Sequence, residues 1–466
     1  MTVTSAGPAR PAPPARSVST TNACRMCMPL GACLAFTGIE GCVPLLHGSQ
    51  GCATYIRRYL ISHFAEPMDI ASSSVGETAT VFGGEANLRQ GVANVTRVYR
   101  PQLIGVATTC LTETIGEDVG GMLARLTADR EDPGQGTAPV LVHAPTPSYA
   151  GTHADGFQAA VTAAVAALAG TGGDGLAGHV NLFPGIVSTA DLRHLRELMA
   201  AFGLEHALIP DWSDRLDGPS LARYAKLPAG GTPLAELAAT SQAVASVTLG
   251  GLVSPGVTLA GDRLADRFGV AHHRLPFPIG LRLTDQFMDT LAELSGRPLP
   301  DGIAAERGRL VDAYIDGHKY AAEKVAVVYG DEDLVLGLSV WLAEIGVTPA
   351  LVATGGRSGR LATDLARCAP ELADRVTVMD DADFRLIGEA ARDLGADLFV
   401  GHSKGYRLAR ELGLPLVRVG LPIHDRVGAQ RVRHLGYEGT QALFDRVVNA
   451  LIAHRQDHAD IAYSYM

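Results

Sequence analysis

The sequence predicts an α/β protein that is divided into three Rossmann-like domains with mainly parallel sheets. Short apolar runs are repeatedly followed by a turn and then by a helical pattern, which is typical of strands connected through helices. The composition agrees, because 53 Gly and 26 Pro in 466 residues suit many strand-to-helix turns. A chain of this length also exceeds one typical core, so several domains are expected.

The chain begins with residues 1–20, whose Pro, Ala and Ser content predicts a disordered tail. Residues 21–175 follow as the predicted N-terminal α/β domain. In it, "RPQLIGVATTC" predicts a strand that ends near Ala107, and "LTETIGEDVGGMLARL" predicts a helix after it. "APVLVHA" predicts another strand, and "DGFQAAVTAAVAALAG" predicts a helix with Asp155 as its N-cap.

Two further α/β domains are predicted in the remainder of the chain. The second covers residues 176–315 and opens with the strand, turn and helix pattern of "HVNLFPGIVSTADLRHLRELMAAFG". The third covers residues 316–466, from "KVAVVYGDEDLVLGLSVWLAEIG" to the helix "TQALFDRVVNALIAH". The Gly- and Pro-rich stretch near 170–178 and the mixed helical region near 285–320 mark the boundaries.

Charge and hydropathy exclude several classes of function. A net charge of −10 argues against nucleic acid as a main partner, because phosphate binding needs a clustered positive face. No stretch approaches the roughly 20 apolar residues that span a bilayer, so no membrane partner is expected. The N-terminus carries no apolar core of a secretory signal, and we therefore expect a cytoplasmic protein.

The cysteines are concentrated near the N-terminus. Six of the seven fall in the first quarter of the chain: Cys24, Cys27, Cys33, Cys42, Cys52 and Cys110. Because the cytosol keeps thiols reduced, the crowding favours a metal or redox site over disulfides, with some of the six as core residues.

Three of these cysteines stand beside turns or strand ends. Cys110 follows a predicted strand directly, and Ser148 lies in the loop after the next strand, so the two can converge at one sheet edge. Cys52 opens a predicted helix, whose N-terminus favours a thiolate. Thiolates are the usual ligands of iron-sulfur clusters. Cys27, Cys52 and Cys110 do not complete an ordinary four-ligand cluster, so a partner subunit is the simplest source of further ligands.

Several long motifs together resemble one family. "CMPLGACLAFTGIEGCVPLLHGSQGCATYIRRYLISHFAEP", "VFGGEANL", "ATTCLTETIGEDV" and "TPSYAGTH" resemble the beta-type subunits of nitrogenase component 1. The resemblance continues through "NLFPG", "YGDEDLVLGL" and "LPIHDRVGAQRVRHLGYEGT", and so covers nearly all of the chain after the tail. It implies the nitrogenase component 1 architecture.

The resemblance assigns a role to individual residues. The family's three cluster cysteines match Cys27 before "PLGA", Cys52 at the end of "HGSQGC" and Cys110 in "TTC". A serine that can ligate the oxidised cluster matches Ser148 in "TPSYAG", and a residue packed beside the cluster matches Tyr55.

The resemblance also implies a cofactor and partners. The cofactor is a P-cluster-type 8Fe-7S cluster shared with a homologous alpha-type subunit, with a 4Fe-4S cluster as the alternative. The subunits form an alpha2beta2 heterotetramer, and an ATP-dependent iron protein docks where Phe82 matches an aromatic residue of the family. Such a chain relays electrons to a catalytic metallocluster in the alpha-type subunit and is inactive alone.

Three branches of the family compete. The preferred one is the methylthio-alkane reductases, which cleave carbon-sulfur bonds of small thioethers in sulfur salvage and methionine synthesis, because a short chain carries the complete cysteine set. The cofactor-assembly scaffold has a similar length and shares "LPIHDRVGAQR", but many scaffolds lack the first and third cysteines. The beta subunit of dinitrogen-reducing nitrogenase has the same cysteines but is usually longer.

Other candidate groups receive structural readings. Cys24 forms a CxxC pair with Cys27, but without a second pair a structural or near-cluster thiol is favoured over a zinc ligand. Cys33, Cys42 and Cys368 are predicted core residues. His47 is predicted to shape its turn, and "GHSKGYR" matches no complete phosphate loop.

Overall fold

A computed structural model describes residues 24–129, 138–171, 178–220, 223 and 225–460. The predicted fold class is confirmed, because this part of the chain forms three sheets with helices between the strands. Every strand pairing in the described ranges is parallel. The predicted tail, residues 1–20, and most of the charged stretch "DREDPGQG" lie outside the described residues.

The first sheet contains four strands in the order β2-β1-β3-β4. Its strands are β1 (Cys42–His47), β2 (Ala71–Ser72), β3 (Leu103–Thr108) and β4 (Val140–Ala144). The helices of this part of the chain are α1 (Met28–Thr37), α2 (Gln50–Phe64), α3 (Glu77–Phe82), α4 (Glu85–Tyr99), α5 (Cys110–Thr114), α6 (Val119–Ala128) and α7 (His153–Leu168).

The second sheet has the order β6-β5-β7-β8. Its strands are β5 (Val180–Phe183), β6 (His206–Leu208), β7 (Ala245–Leu249) and β8 (Ala271–Leu275). The accompanying helices are α8 (Thr189–Ala201), α9 (Leu234–Ala239), α10 (Ala260–Phe268), α11 (Gly280–Ser295) and α12 (Asp301–Ala321).

The third sheet has the order β11-β10-β9-β12-β13. Its strands are β9 (Val325–Gly330), β10 (Thr348–Thr354), β11 (Thr377–Met379), β12 (Leu398–Gly401) and β13 (Leu416–Arg418). The helices are α13 (Glu332–Glu344), α14 (Leu361–Cys368), α15 (Phe384–Arg392), α16 (Tyr406–Glu411) and α17 (Gly436–Asp457). None of the helices in the described ranges combines the length and apolar character that a membrane span needs.

The central strands are apolar on both faces because both faces are covered. In β3, Leu103 belongs to the large buried cluster that includes α1 and α7, whereas its neighbour Ile104 belongs to a separate cluster with α4 and α6. The same alternation places Val328 and Tyr329 of β9 in two different clusters. Parallel strands buried in this way appear in sequence as continuous apolar runs, which is why the sequence predicts them.

In each sheet there is one point at which the order of the strands reverses. In the first sheet the chain passes from β1 to β2 on one side and then returns to place β3 on the other side of β1. The equivalent points lie between β5 and β7 and between β9 and β12. Ligands of open α/β sheets bind beyond the strand ends at such switch points.

The three sheets share one core. A single cluster of buried apolar side chains includes Leu46 of the first sheet, Val247 of the second and Val328 of the third. The helices α11 and α12 both pack against α17 and so connect the second and third parts of the chain. The predicted domain limits at residues 175 and 315 stay a prediction, and they divide a molecule whose buried core is continuous.

Two local predictions differ from the structure. Thr152 is the N-cap of α7, and Asp155 instead occupies its third position, where its carboxylate accepts a 2.7 Å hydrogen bond from the Thr152 amide. The helix predicted over "LTETIGEDVGGMLARL" is broken into α5 and α6. Gly116 adopts φ of +75° between them, and Asp118 caps α6, so the chain turns where the apolar pattern is continuous.

Candidate functional site

Cys52 lies in the first turn of α2, just beyond the carboxyl end of β1. Ser49 caps this helix by accepting a 3.3 Å hydrogen bond from the Gly51 amide. Gly48 lies so close to the next turn that a Cβ atom there would be 2.0 Å from Thr109 Oγ1. Only glycine fits this approach, so the turn before Cys52 is held directly against the turn after β3.

Cys110 lies in that second turn, as the exposed first residue of α5. The Thr109 amide donates a 3.1 Å hydrogen bond to the His47 carbonyl, and the Thr112 hydroxyl donates to the same oxygen at 2.9 Å. Because β1 and β3 are neighbours on either side of the switch point, these bonds join the turns that carry Cys52 and Cys110.

Cys27 completes the group from the N-terminus of α1, where it is the N-cap residue. Burial is the main reason why the pKa of its half-buried thiol is raised to about 11, and the Cys52 and Cys110 thiols contribute to that rise. Burial also raises the pKa of Cys52, with Cys110 adding to the shift. Charges act on each other in this way only at short range, so the structure brings the three predicted cysteines together.

The three thiols are suited to a particular kind of group. All are free, and three thiolates held together would repel one another unless a positive group lay between them. Within the described ranges, no three His, Cys, Asp or Glu side chains are close enough to hold one metal ion. Three soft sulfur donors that are near one another but not close enough to share one ion fit a polynuclear metal group, with further ligands from outside the chain, better than a single ion.

Ser148 lies in the loop between β4 and α7. The Thr146 amide ties the start of this loop to the Thr108 hydroxyl at 2.7 Å, two residues from Cys110. The end of the loop is tied by the His153 amide, which donates to the Met26 carbonyl at 3.1 Å beside Cys27. Half-buried Ser148 thus lies on a segment that runs from the Cys110 side of the group to the Cys27 side.

Tyr55 lies one turn after Cys52 on α2 and is 55% exposed. Its hydroxyl donates a 2.7 Å hydrogen bond to the Tyr59 hydroxyl. That bond is the main reason why the pKa of Tyr55 is raised to about 12, and the Cys27 thiol also raises it. The structure therefore places Tyr55 beside the cysteine group, on a side that solvent reaches.

Phe82 belongs to a separate exposed surface at the end of α3. Phe82 is 84% exposed and its neighbour Val81 is 76% exposed. Apolar side chains this exposed side by side often mark a surface that binds another protein. We call these two residues the Val81–Phe82 surface.

Comparison with known proteins identifies the family. The profile described as nitrogenase component 1 type oxidoreductase matches residues 27–452. The chain belongs to the nitrogenase component 1 family.

Individual relatives specify the type of subunit. The molybdenum-iron protein beta chain of Methanothermobacter marburgensis is 37% identical over 437 residues, which cover 91% of this chain and 93% of the relative. The vanadium-iron protein beta chain of Trichormus variabilis is 33% identical over 438 residues, covering 92% and 93%. A solved structure titled "Nitrogenase Cp1 at pH 6.5" has a TM-score of 0.91 and 33% identity, and covers 97% of this chain and 98% of that one. The chain is of the beta-chain type, a subunit type of an oxidoreductase complex.

Chain length does not set this protein apart from one of the molybdenum-iron protein beta chains. Because the alignment with the Methanothermobacter marburgensis chain covers nearly equal shares of both proteins, their lengths are similar. The short length that favours a methylthio-alkane reductase over a dinitrogen-reducing nitrogenase is thus shared with that relative.

Cys24 lies apart from the other N-terminal thiols. It is only 2% exposed, belongs to the buried cluster around Tyr329, and its Sγ lies 3.7 Å from His402 Nε2. Burial also raises the pKa of Cys24 to about 12. These contacts support the structural reading of Cys24 over the zinc reading.

One feature of the site was missed by sequence reasoning. The fully buried His47 ring is 2.9 Å from Ser73 Oγ through Nδ1 and 2.6 Å from Glu117 Oε2 through Nε2. The sequence assigns His47 to its turn, which agrees with these contacts, but it assigns nothing to Glu117. A partner 70 residues away leaves no local signal, and only the pairing of β1 with β3 brings the two together.

Proposed function

We propose that this chain holds half of a shared iron-sulfur cluster and relays electrons through it. The observation that carries the proposal is the meeting of Cys27, Cys52 and Cys110 at the β1–β3 switch point in a member of the nitrogenase component 1 family. An ATP-dependent iron protein supplies the electrons. A catalytic metallocluster in an alpha-type subunit receives them.

The cysteines hold the cluster as thiolates. Burial disfavours the charged form of Cys27 and Cys52, so these thiols release their protons only when the charge of bound iron offsets that cost. When bound, the cluster supplies a redox centre that accepts electrons and passes them on. The number of thiols supports an 8Fe-7S cluster shared between two subunits, with a 4Fe-4S cluster as the alternative.

The remaining ligands come from a homologous alpha-type subunit in an alpha2beta2 heterotetramer. The exposed positions of Cys110 and Tyr55 support this, because both reach the side of the site that this chain leaves open. Ser148 is proposed as an oxygen ligand of the oxidised cluster, and Tyr55 as a neighbour that covers it. The Val81–Phe82 surface is proposed to receive the iron protein.

Metal content of the purified heteromeric complex tests the cluster. We expect about eight irons per alpha-beta pair in addition to those of the alpha-type cluster, and a spectrum that changes when the iron protein and ATP are added. Cys110→Ala should remove most of this iron, whereas Cys368→Ala, which replaces a half-buried thiol on α14, should keep it. Equal iron in both variants would contradict the ligand assignment, and about four irons would favour the 4Fe-4S alternative.

For the substrate we propose small thioethers. Reductive cleavage adds two electrons and two protons to R–S–R′ and yields a thiol and an alkane, which suits an electron relay to a metallocluster. The complete set of three cysteines in this chain supports a working reductase over an assembly scaffold, and it is equally expected of a dinitrogen-reducing enzyme.

Dinitrogen reduction is the second candidate, because the relatives that cover most of this chain include molybdenum-iron and vanadium-iron protein beta chains. Product analysis separates the two candidates. The complex is supplied with its iron protein, ATP and either ethyl methyl sulfide or dinitrogen. Methanethiol or ethanethiol with alkane supports the first candidate, ammonia the second, and transfer of a cofactor precursor without turnover would instead indicate an assembly scaffold.

A further inference from the structure

His47 forms hydrogen bonds through both its ring and its backbone carbonyl, and these bonds reach the turns that carry Cys52 and Cys110. Its carbonyl accepts hydrogen bonds from Thr109 and Thr112, at the turn that carries Cys110. Its Nδ1 lies 2.9 Å from Ser73 Oγ, which in turn accepts a 3.0 Å hydrogen bond from the Gly48 amide. His47 therefore holds the turn before Cys52 as well as the turn at Cys110.

The chemistry of the ring defines the direction of each bond. Burial lowers the pKa of His47, so its ring is neutral and has one donor and one acceptor nitrogen. The carboxylate of Glu117 can only accept, so Nε2–H donates to it across 2.6 Å. Nδ1 then accepts from the Ser73 hydroxyl, and the hydroxyl oxygen accepts from Gly48. Every polar atom in this series has a partner of the right kind.

Glu117 extends the series toward the Val81–Phe82 surface. Its second carboxylate oxygen, Oε1, accepts a hydrogen bond from the Gly84 amide, two residues after Phe82. The contact is close, because a Cβ atom on Gly84 would lie 2.8 Å from Glu117 Oε1 and 3.1 Å from His47 Cε1. The backbone at Gly84, which follows the Val81–Phe82 surface, therefore packs directly against the buried side chains of His47 and Glu117.

We propose that His47 and Glu117 are positioning residues that couple contacts at the Val81–Phe82 surface to the turns carrying Cys52 and Cys110. The inference rests on the proposed function, in which the iron protein binds this surface and the cysteines hold the cluster. The Glu117 side chain is 5% exposed and that of His47 is fully buried, so displacement of Gly84 cannot be absorbed by water. Breaking one of these buried bonds would leave a polar group without a partner, so the turns move with the surface.

Hydrogen exchange on the assembled, iron-loaded complex tests the coupling without measuring turnover. In the native complex, binding of the iron protein should change amide exchange at residues 81–84 and also at residues 48–54. In Glu117→Ala the change at residues 81–84 should remain, and the change at residues 48–54 should fall at least threefold. The rate of electron transfer from the iron protein should fall about tenfold, whereas reduction of the complex by dithionite should keep its rate.

Three further variants complete the test. Glu85→Ala removes a carboxylate next to Gly84 that bonds Arg125 on the surface, and it should leave exchange at residues 48–54 native. Glu117→Gln keeps the length of the side chain and can bond the other tautomer of His47, so it should restore most of the coupling. If Glu117→Ala does not assemble, Glu117→Asp, which is too short to reach both His47 and Gly84, should show the same loss.

The outcomes separate this inference from the proposed function. A native complex without a reducible cluster, or without response to an iron protein, would remove the proposed function and the inference together. The inference alone would be overturned if the native complex responds to the iron protein and the exchange response at residues 48–54 stays native in Glu117→Ala, or in Glu117→Asp where Glu117→Ala does not assemble. A loss in Glu85→Ala equal to that in Glu117→Ala would also overturn it, because surface charge would then explain the effect.

Discussion

At the scale of single residues, the three proposed ligands differ in their exposure. Cys27 and Cys52 are half-buried and their pKa values are raised by burial, whereas Cys110 is exposed. A shared cluster accounts for this gradient, because the most exposed thiol lies where a partner subunit would cover it. Cys24, by contrast, is buried beside His402, which supports its structural reading.

Phe82→Ala should weaken binding of the iron protein without affecting the cluster. An aromatic side chain that is 84% exposed contributes little to folding, but it can bury a large apolar area at an interface. We expect the Kd for the iron protein to rise about tenfold, or about 1.4 kcal/mol, at unchanged iron content. Binding titrations measure this, with Val244→Ala, an exposed apolar residue before β7, as the control that should bind normally.

An unchanged Kd for Phe82→Ala would place the docking surface elsewhere. A loss of iron in the same variant would show that Phe82 supports the fold and would remove it as a docking residue. Neither result would bear on the three cysteines, because they lie on other helices.

At the scale of elements, the site depends on two strand-to-helix turns that touch. The turn from β1 to α2 and the turn from β3 to α5 meet at Gly48 and Thr109. Gly48 and Gly51 both precede Cys52, but they differ in what surrounds them. The structure requires glycine for close approach only at position 48, since a Cβ atom at position 51 would meet nothing closer than 3.7 Å.

Gly48→Ala should destabilise the complex and reduce its iron content. The added methyl group would lie 2.0 Å from Thr109 Oγ1, so the two turns would have to separate at a cost of about 2 to 3 kcal/mol. Gly51→Ala is the matched control, because it adds the same group in open space within the first turn of α2 and should change stability by less than about 1 kcal/mol. Denaturant unfolding and iron analysis of both variants provide the comparison, and similar losses in the two would contradict the packing argument.

At the scale of the whole molecule, buried carboxylates join the parts of the chain. Asp333 at the start of α13 accepts hydrogen bonds from the Gly251 and Leu252 amides after β7, and Asp155 of α7 accepts one from the Ser254 amide. These bonds fix the loop that follows β7 to a helix beside the first sheet and to a helix beside the third sheet. Burial raises the pKa of Asp333 to about 7, so its connection to Gly251 and Leu252 is sensitive to pH.

Glu332→Gln should change how stability depends on pH. Burial raises the pKa of Glu332 from 4.5 to about 7, so the folded protein favours the protonated form. That contribution to the free energy of unfolding is fully present below pH 4.5 and is lost as the pH rises through about 7. The variant has no charge to bury, so relative to the native protein it should be about 2 kcal/mol more stable at pH 8 than at pH 5.

Denaturant unfolding of the complex at pH 5, 6, 7 and 8 measures this difference. A constant offset between Glu332→Gln and the native protein at all four values would show that Glu332 is not the titrating group. The Ser358 amide donates to Glu332 Oε1 at 3.0 Å, and the glutamine oxygen can accept the same bond. The test therefore changes the charge while keeping that contact.

Much of this protein was determined by its sequence alone. The buried strands appear as apolar runs because a parallel sheet covered on both faces has no polar side. Motifs around Cys27, Cys52 and Cys110 predicted the family, which the profile match confirms. Their role as cluster ligands, with Ser148, Tyr55 and Phe82, stays a prediction.

Only the tertiary structure decided which groups meet. It brought the three cysteines together, buried Cys24 beside His402, and joined His47 to Glu117 across 70 residues. The physical reason is that side-chain periodicity reports on one element at a time, whereas these contacts depend on the order in which parallel strands pair. Placing β1 beside β3 joined the turns that carry Cys52 and Cys110, and the packing of α1 on these two strands added Cys27.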